Sequence, residues 1–137
     1  MALVVDSSFL VALLVREDHS AFAAASLNRL ADQPREAPDL IVWEVANVLW
    51  RKTRKGDLLG DERREMLGAF WDFQIALEAP SASSTLVLVA YADHHDLTAY
   101  DAAYLELAIR REAPLATLDK ALTRAARAEG LTVHSPF

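Results

Sequence analysis

Short apolar runs, several bearing valine, alternate with stretches of helical periodicity along nearly the whole chain, and this alternation constrains the fold more than any other feature. Ala2–Val5 is a short run closed by Asp6 and reads as a fully buried strand. Ala37–Asp39, Ile75–Ala79, Leu115–Leu118 and Leu131–Val133 read as further short strands or strand ends. Between them, Phe9–Val15, His19–Ala31, Leu40–Lys55, Asp61–Ala76, Ser81–His95, Thr98–Arg111 and Asp119–Glu129 read as helices. In the third of these, Ile41, Val45, Val48 and Leu49 fall on one side, and Gly56 follows as a terminator. Strands that alternate with helices imply an α/β fold, a parallel sheet with helices on both faces.

The bulk properties set limits on that fold. A chain of 137 residues, 53% hydrophobic and 25% charged, suits one domain with one core, so residues 1–137 are read as a single domain. No repeat or low-complexity tract is visible. The absence of cysteine excludes disulfides, thiolate zinc sites and cysteine nucleophiles, and fits a reducing, cytoplasmic setting. Met1–Asp6 carries no basic segment and meets an acid early, so no secretory leader is expected. The longest clean apolar runs, Phe9–Val15 and Leu86–Ala92, fall well short of the roughly 20 residues needed to span a bilayer. The expectation is a soluble protein with no membrane partner.

A formal net charge of −6 argues against a protein that coats nucleic acid by charge alone. It leaves room for an enzyme that meets phosphate through a bound cation, because the metal reverses the local sign. The basic residues are grouped: Arg51, Lys52, Arg54 and Lys55; Arg110 and Arg111; Lys120, Arg124 and Arg127. They read equally as solvated helix ends, where cations are favoured, or as RNA contacts.

Four acids stand out. Asp6 and Asp119 each close a strand, and ligands in such folds sit beyond the carboxyl ends of parallel strands. Glu44 lies in the first turns of a helix that should start on that edge, inside the run Leu40-Ile41-Val42-Trp43-Glu44-Val45. Asp101 lies in the first turn after Thr98, a helix less constrained because no strand directly precedes it. Each has a plain structural role available. Asp6 and Asp119 suit helix N-caps, Thr98–Asp101 suits a capping pattern, and Glu44 suits a buried acid paired with an arginine. Taken together, four acids on one edge point to Mg²⁺ or Mn²⁺, which prefer oxygen ligands. Such an ion polarises a phosphodiester and acidifies a bound water, and a carboxylate can orient that water or act as its base. Three neighbours fit. Thr117 is two positions before Asp119 and can face the same way, Asn47 shares a helix face with Glu44, and Ser7 can cap its helix or touch the site.

Four blocks in order carry a resemblance to a known family. They are Val4-Val5-Asp6-Ser7-Ser8, Trp43-Glu44-Val45-Ala46-Asn47-Val48-Leu49, Leu97-Thr98-Ala99-Tyr100-Asp101-Ala102-Ala103-Tyr104-Leu105, and Ala116-Thr117-Leu118-Asp119-Lys120. With these the chain resembles the PIN-domain family, and within it the VapC-type toxins of toxin–antitoxin pairs. The third block is the most specific. The resemblance implies a PIN-like three-layer sandwich around a central parallel sheet, and Mg²⁺ or Mn²⁺ held by Asp6, Glu44, Asp101 and Asp119. It further implies endonucleolytic cleavage of RNA, a homodimer, and a small VapB-type antitoxin through which operator DNA is bound. Asp96 stands where the family commonly has glycine, which implies a changed helix end.

Other residues are assigned less. His94 and His95 are adjacent and do not share a helix face, and no histidine pairing among His19, His94, His95 and His134 has a zinc spacing, so all four read as surface histidines. Trp43 and Trp50 read as core packing or as a dimer or antitoxin interface, ahead of base stacking. Two other functions compete. An aspartate-phosphorylating hydrolase or receiver also places acids at strand ends, but the dehalogenase type wants an acid two positions after the first, where Ser8 stands. A non-catalytic PIN-like module binding RNA or protein is expected to have lost one or more of the acids.

Overall fold

The computed structural model describes residues 2–137. Its strands are β1 (Leu3–Val5), β2 (Arg35–Pro38), β3 (Ala76–Glu78), β4 (Leu115–Ala116) and β5 (Val133–His134). Its helices are α1 (Ser7–Leu14), α2 (Ser20–Arg29), α3 (Leu40–Arg54), α4 (Gly60–Asp72), α5 (Ala82–His95), α6 (Ala99–Arg111) and α7 (Lys120–Ala128). The strands form one sheet in the order β3-β2-β1-β4-β5, and every pairing is parallel. This is the expected α/β architecture, a central parallel sheet flanked by helices.

β1 is the middle strand. Leu3, Val4 and Val5 have no exposed surface, as a strand covered on both faces and paired on both edges requires. The chain runs from β1 outward to β2 and β3, then returns to the other side of β1 for β4 and β5. The order therefore reverses between β1 and β4, and the crevice beyond their carboxyl ends is where ligands of such sheets bind. α6 packs against β1 and β2, α5 and α7 pack on α6, and α1 meets α2, α3 and α4. Ile41, Val45 and Leu49 of α3 are fully buried, which bears out the face read from their spacing, with Val48 at its partly buried margin. Burying such a side chain contributes on the order of 1.5–3 kcal/mol.

The elements differ from their sequence reading mostly at the ends. Strand character covers Arg35–Pro38 rather than Ala37–Asp39, and Leu115–Ala116 rather than Leu115–Leu118. The final strand lies at Val133–His134 rather than Leu131–Val133, because Gly130 with φ +80° and the next two residues make the turn. α4 stops at Asp72, and Gln74 adopts φ +53°, so the last turn read as helix is the bend into β3. Asp96 takes the left-handed conformation (φ +54°) at the end of α5, which explains why glycine suits that position. α6 follows this turn directly, with no strand between. Its N-cap is Thr98, whose hydroxyl accepts from the Asp101 amide at 3.1 Å, as the capping pattern required.

Trp43, Trp50 and Trp71 are 76%, 52% and 57% exposed, so the core-packing reading of Trp43 and Trp50 does not hold. The pattern misleads because α3 and α4 each bury only a narrow stripe, and the tryptophans lie outside it. α5 buries none of its side chains completely, and Leu86, Val87 and Val89 are exposed on it. No helix among the described residues is long and apolar enough to cross a membrane.

Candidate active site at the carboxyl edge of the sheet

Asp6 follows β1 directly and is the N-cap of α1, its carboxylate accepting from the Phe9 amide at 2.9 Å. Ser8 Oγ donates to the same oxygen at 2.7 Å, and Thr117 Oγ1 donates to the other at 2.5 Å. Asp119 stands in the equivalent place after β4. It caps α7 by accepting from the Leu122 amide at 2.7 Å, while its own amide donates to Thr117 Oγ1 at 3.0 Å. Thr117 thus ties the two acids together across the β1–β4 crevice. Its hydroxyl donates to the Asp6 carboxylate and not to that of Asp119. The capping roles proposed for Asp6 and Asp119 are real, and they coexist with the clustering.

Glu44 is half-buried on α3 and accepts a 2.5 Å hydrogen bond from the Tyr104 hydroxyl of α6. Among the described residues no arginine pairs with it, so the arginine-paired reading is replaced by a neutral phenol. Burial, with the hydrogen bond to Glu44 and the Glu44 charge, pushes the Tyr104 phenol well above its usual range. Asp101, in the first turn of α6, is half-buried near both Asp119 and Glu44.

The electrostatics show how closely the acids are associated. Burial raises the Asp6 carboxyl from 3.8 to about 7, helped by the Asp119 charge and opposed by hydrogen bonds from Thr117, Phe9 and Ser8. Burial also raises the Asp101 carboxyl, as do the charges of Asp119 and Glu44. Among the described residues, no ion pair joins any of these four acids to a lysine, arginine or histidine. The cluster has no cationic side chain to balance it.

That donor set fits a hard divalent cation, whose ligands are oxygens. The fit is loose. No three of the carboxylates bring oxygens within 4.8 Å of one another. Mg²⁺ suits this spacing, since it keeps several waters and takes one or two carboxylates directly.

Of the supporting residues, Asn47 is exposed and lines a shallow groove beside Glu44 with Leu40, Trp43 and Tyr100. Ser7 is not the cap, because Asp6 is, and Ser7 lies inside the first turn of α1, beside Tyr104. The sequence reading passed over Ser8 and Tyr104. Ser8 bonds Asp6 and accepts from the Leu118 amide at 2.9 Å, which makes it a second strap between β1 and β4. Its only signal was its place beside Asp6. Tyr104 lies three residues after Asp101, on the same helix face, and that spacing would have found it.

The basic groups separate into two kinds. Arg110 makes two hydrogen bonds to Glu78, at 2.8 and 2.9 Å, and two to Glu106, while Arg111 bonds Glu36. These two arginines are engaged by acids of the fold. Lys52 meets only Glu17, at 3.9 Å, and Arg51 and Lys55 are exposed near it.

Comparison with known proteins agrees with this architecture. Residues 3–128 match the PIN domain family. Ribonuclease VapC3 of Pyrobaculum aerophilum is 41% identical over 123 residues, spanning 89% of this chain and 92% of that protein. Among solved structures, VapBC2 from Rickettsia felis, bound to a DNA fragment from its promoter, superposes with a TM-score of 0.73 at 15% identity, covering 98% of each chain. Mycobacterium tuberculosis VapC20, described as a sarcin-ricin loop cleaving toxin, gives 0.71 at 15% identity over 90% of this chain and 95% of its own. On the matched length and the 41% identity, the chain belongs to the PIN-domain family and, within it, to the VapC group.

Proposed function

We propose that this chain is a divalent-metal-dependent endoribonuclease, the toxin of a VapBC-type toxin–antitoxin pair, with residues 1–137 acting as one nuclease domain in the cytoplasm. The observation that supports the reading is the charge coupling of Asp6 with Asp119 and of Asp101 with Asp119 and Glu44, from four separate segments, with no ion pair to a cationic side chain among the described residues. The 41% identity to a ribonuclease supports it.

Asp6, Glu44, Asp101 and Asp119 would hold Mg²⁺ or Mn²⁺, which supplies polarisation of the scissile phosphodiester and a water acidified towards neutral pH. The chain's own residues prepare the place. Thr117 and Ser8 fix the Asp6 carboxylate from two sides, Tyr104 fixes Glu44, and Thr98 sets the start of the helix that carries Asp101. Loss of such outer partners typically costs roughly 10–100-fold in metal affinity or activity. The groove beside Glu44 has exposed Trp43 and Tyr100 in its wall, surfaces on which unpaired bases stack.

Partners follow from what is left uncovered. Exposed Trp50 and Trp71 on α3 and α4, and Leu86, Val87 and Val89 on α5, suit contact with a VapB-type antitoxin and with a second copy of the chain. Operator DNA would be reached only through the antitoxin.

The test is incubation with total cellular RNA, with and without Mg²⁺ or Mn²⁺, with new ends mapped by sequencing beside Asp101→Asn. Discrete ends that need both the metal and Asp101 support the proposal. Metal-independent RNA binding without new ends, on the native substrate, replaces it with a non-catalytic module.

A further inference from the structure

Away from the acid cluster, His94 and His95 at the end of α5 meet Glu129, which follows α7. His95 Nε2 lies 2.8 Å from Glu129 Oε1, and the His95 and Glu129 side chains are only 10% and 27% exposed. The His94 ring stands edge-on to His95, centroids 4.6 Å apart at 84°. One ligand atom from each of the three falls within 4.8 Å of the other two, a convergence that no other trio of acids or histidines among the described residues reaches.

We propose that His94, His95 and Glu129 form a binding site for a transition-metal cation of the Zn²⁺ class, separate from the carboxylate cluster. Two nitrogens and one carboxylate oxygen are a ligand set that Zn²⁺ accepts, with a water in the fourth position. Ligand atoms around a tetrahedral Zn²⁺ are about 3.3 Å apart, given bond lengths of roughly 2.0–2.1 Å. The His95–Glu129 separation of 2.8 Å and the 4.8 Å limit on the trio bracket that figure. His95 is pre-aimed, since its ring stacks on Tyr91 (6.5 Å, 22°) and its Nε2 already faces Glu129. His94 is exposed and free to turn.

An imidazole–carboxylate hydrogen bond explains His95 and Glu129 but leaves His94 without a reason to be there. Two protonated imidazoles at this separation repel, whereas two neutral ones offer lone pairs to a shared cation. The adjacency of His94 and His95 hid the site in the sequence, because neighbours on a helix point about 100° apart. Glu129, arriving from α7, meets the last turn from outside and brings both within reach.

The ion would join α5 to the end of α7. α5 packs on α6 but buries no side chain completely, so a tether to α7 would add a second attachment to it. Its effect is on stability, because a ligand that binds only the folded chain shifts unfolding by mass action.

The test uses the full-length, untagged chain stripped with EDTA, in excess Mg²⁺ to occupy the carboxylate cluster. Titration with Co²⁺, read by its visible ligand-field bands, and with Zn²⁺, read by calorimetry, is expected to give one equivalent bound and a raised unfolding temperature. His94→Ala, His95→Ala and Glu129→Gln should each weaken binding by about tenfold or more, while Asp101→Asn retains it. Circular dichroism checks that each variant is folded, and Glu129→Gln is the mildest of them. The proposal is overturned if wild type binds neither ion, if His94→Ala binds like wild type, or if binding is lost in Asp101→Asn and kept in His95→Ala.

Discussion

Replacing Asp6 by asparagine should stabilise the metal-free protein at alkaline pH, although it removes a residue central to the proposed site. Raising this carboxyl from 3.8 to about 7 means that the folded chain holds a proton which the unfolded chain releases. The stability from that difference is fully present below about pH 4 and lost as pH rises through about 7. At about 1.4 kcal/mol per pH unit, the loss is on the order of 4 kcal/mol. Asparagine keeps an oxygen for the Phe9 amide and Ser8 hydroxyl but turns an amide towards Thr117, which costs about 1 kcal/mol. The variant should therefore be slightly weaker than wild type at about pH 4 and stronger by about 3 kcal/mol at about pH 8.5. Urea unfolding in EDTA, followed by far-ultraviolet circular dichroism, gives both curves. Tryptophan emission is a poor reporter here, because Trp43, Trp50 and Trp71 are already largely in water. Saturating Mg²⁺ should flatten the wild-type curve, since the cation favours the ionised carboxylate. Parallel pH profiles for wild type and Asp6→Asn would refute the argument that burial of this carboxyl governs the acid cluster.

Two further substitutions separate positioning from folding. Tyr104→Phe keeps a ring that is 1% exposed in the core and removes the hydrogen bond to Glu44. Metal-dependent cleavage should fall about tenfold or more while stability changes by no more than about 1 kcal/mol, and an unchanged turnover number would deny Tyr104 its role. Arg110→Met keeps the apolar stem but leaves Glu106, 6% exposed, without its partner, and should cost about 2 kcal/mol after allowing for the arginine's own exposure to solvent. Urea midpoints should recover in the Arg110→Met/Glu106→Gln double variant, and failure to recover would show that the unpaired charge is not the cause.

The sequence revealed the helices better than the strands because of length. Three residues of β1 are legible as Leu-Val-Val, since a strand buried on both faces is uniformly apolar. β2 contains Arg35 and Glu36, whose polar ends reach out of the sheet, so only its last residues looked like a strand. Strand order depends on which helix packs on which side, and local pattern says nothing of that. In the site, Asp6 and Asp119 stood out because a carboxylate ends an apolar run. Asp101 was less constrained, since its helix follows another helix through the Asp96 turn. The Thr117–Asp6 bond joins residues 111 apart, and the Glu129–His95 contact joins residues 34 apart, so neither has a spacing to read.

The double duty of Asp6 and Asp119 bears on how such a chain can change over time. Each holds a helix start, and removing a cap costs about 1 kcal/mol unless asparagine, serine or threonine takes its place. Glu44 and Asp101 cap nothing, since α6 is capped by Thr98. A lineage released from selection on the chemistry would thus lose positions 44 and 101 first. Positions 6 and 119 would persist as acids or drift only to small polar residues, held in place by folding after their other use had gone.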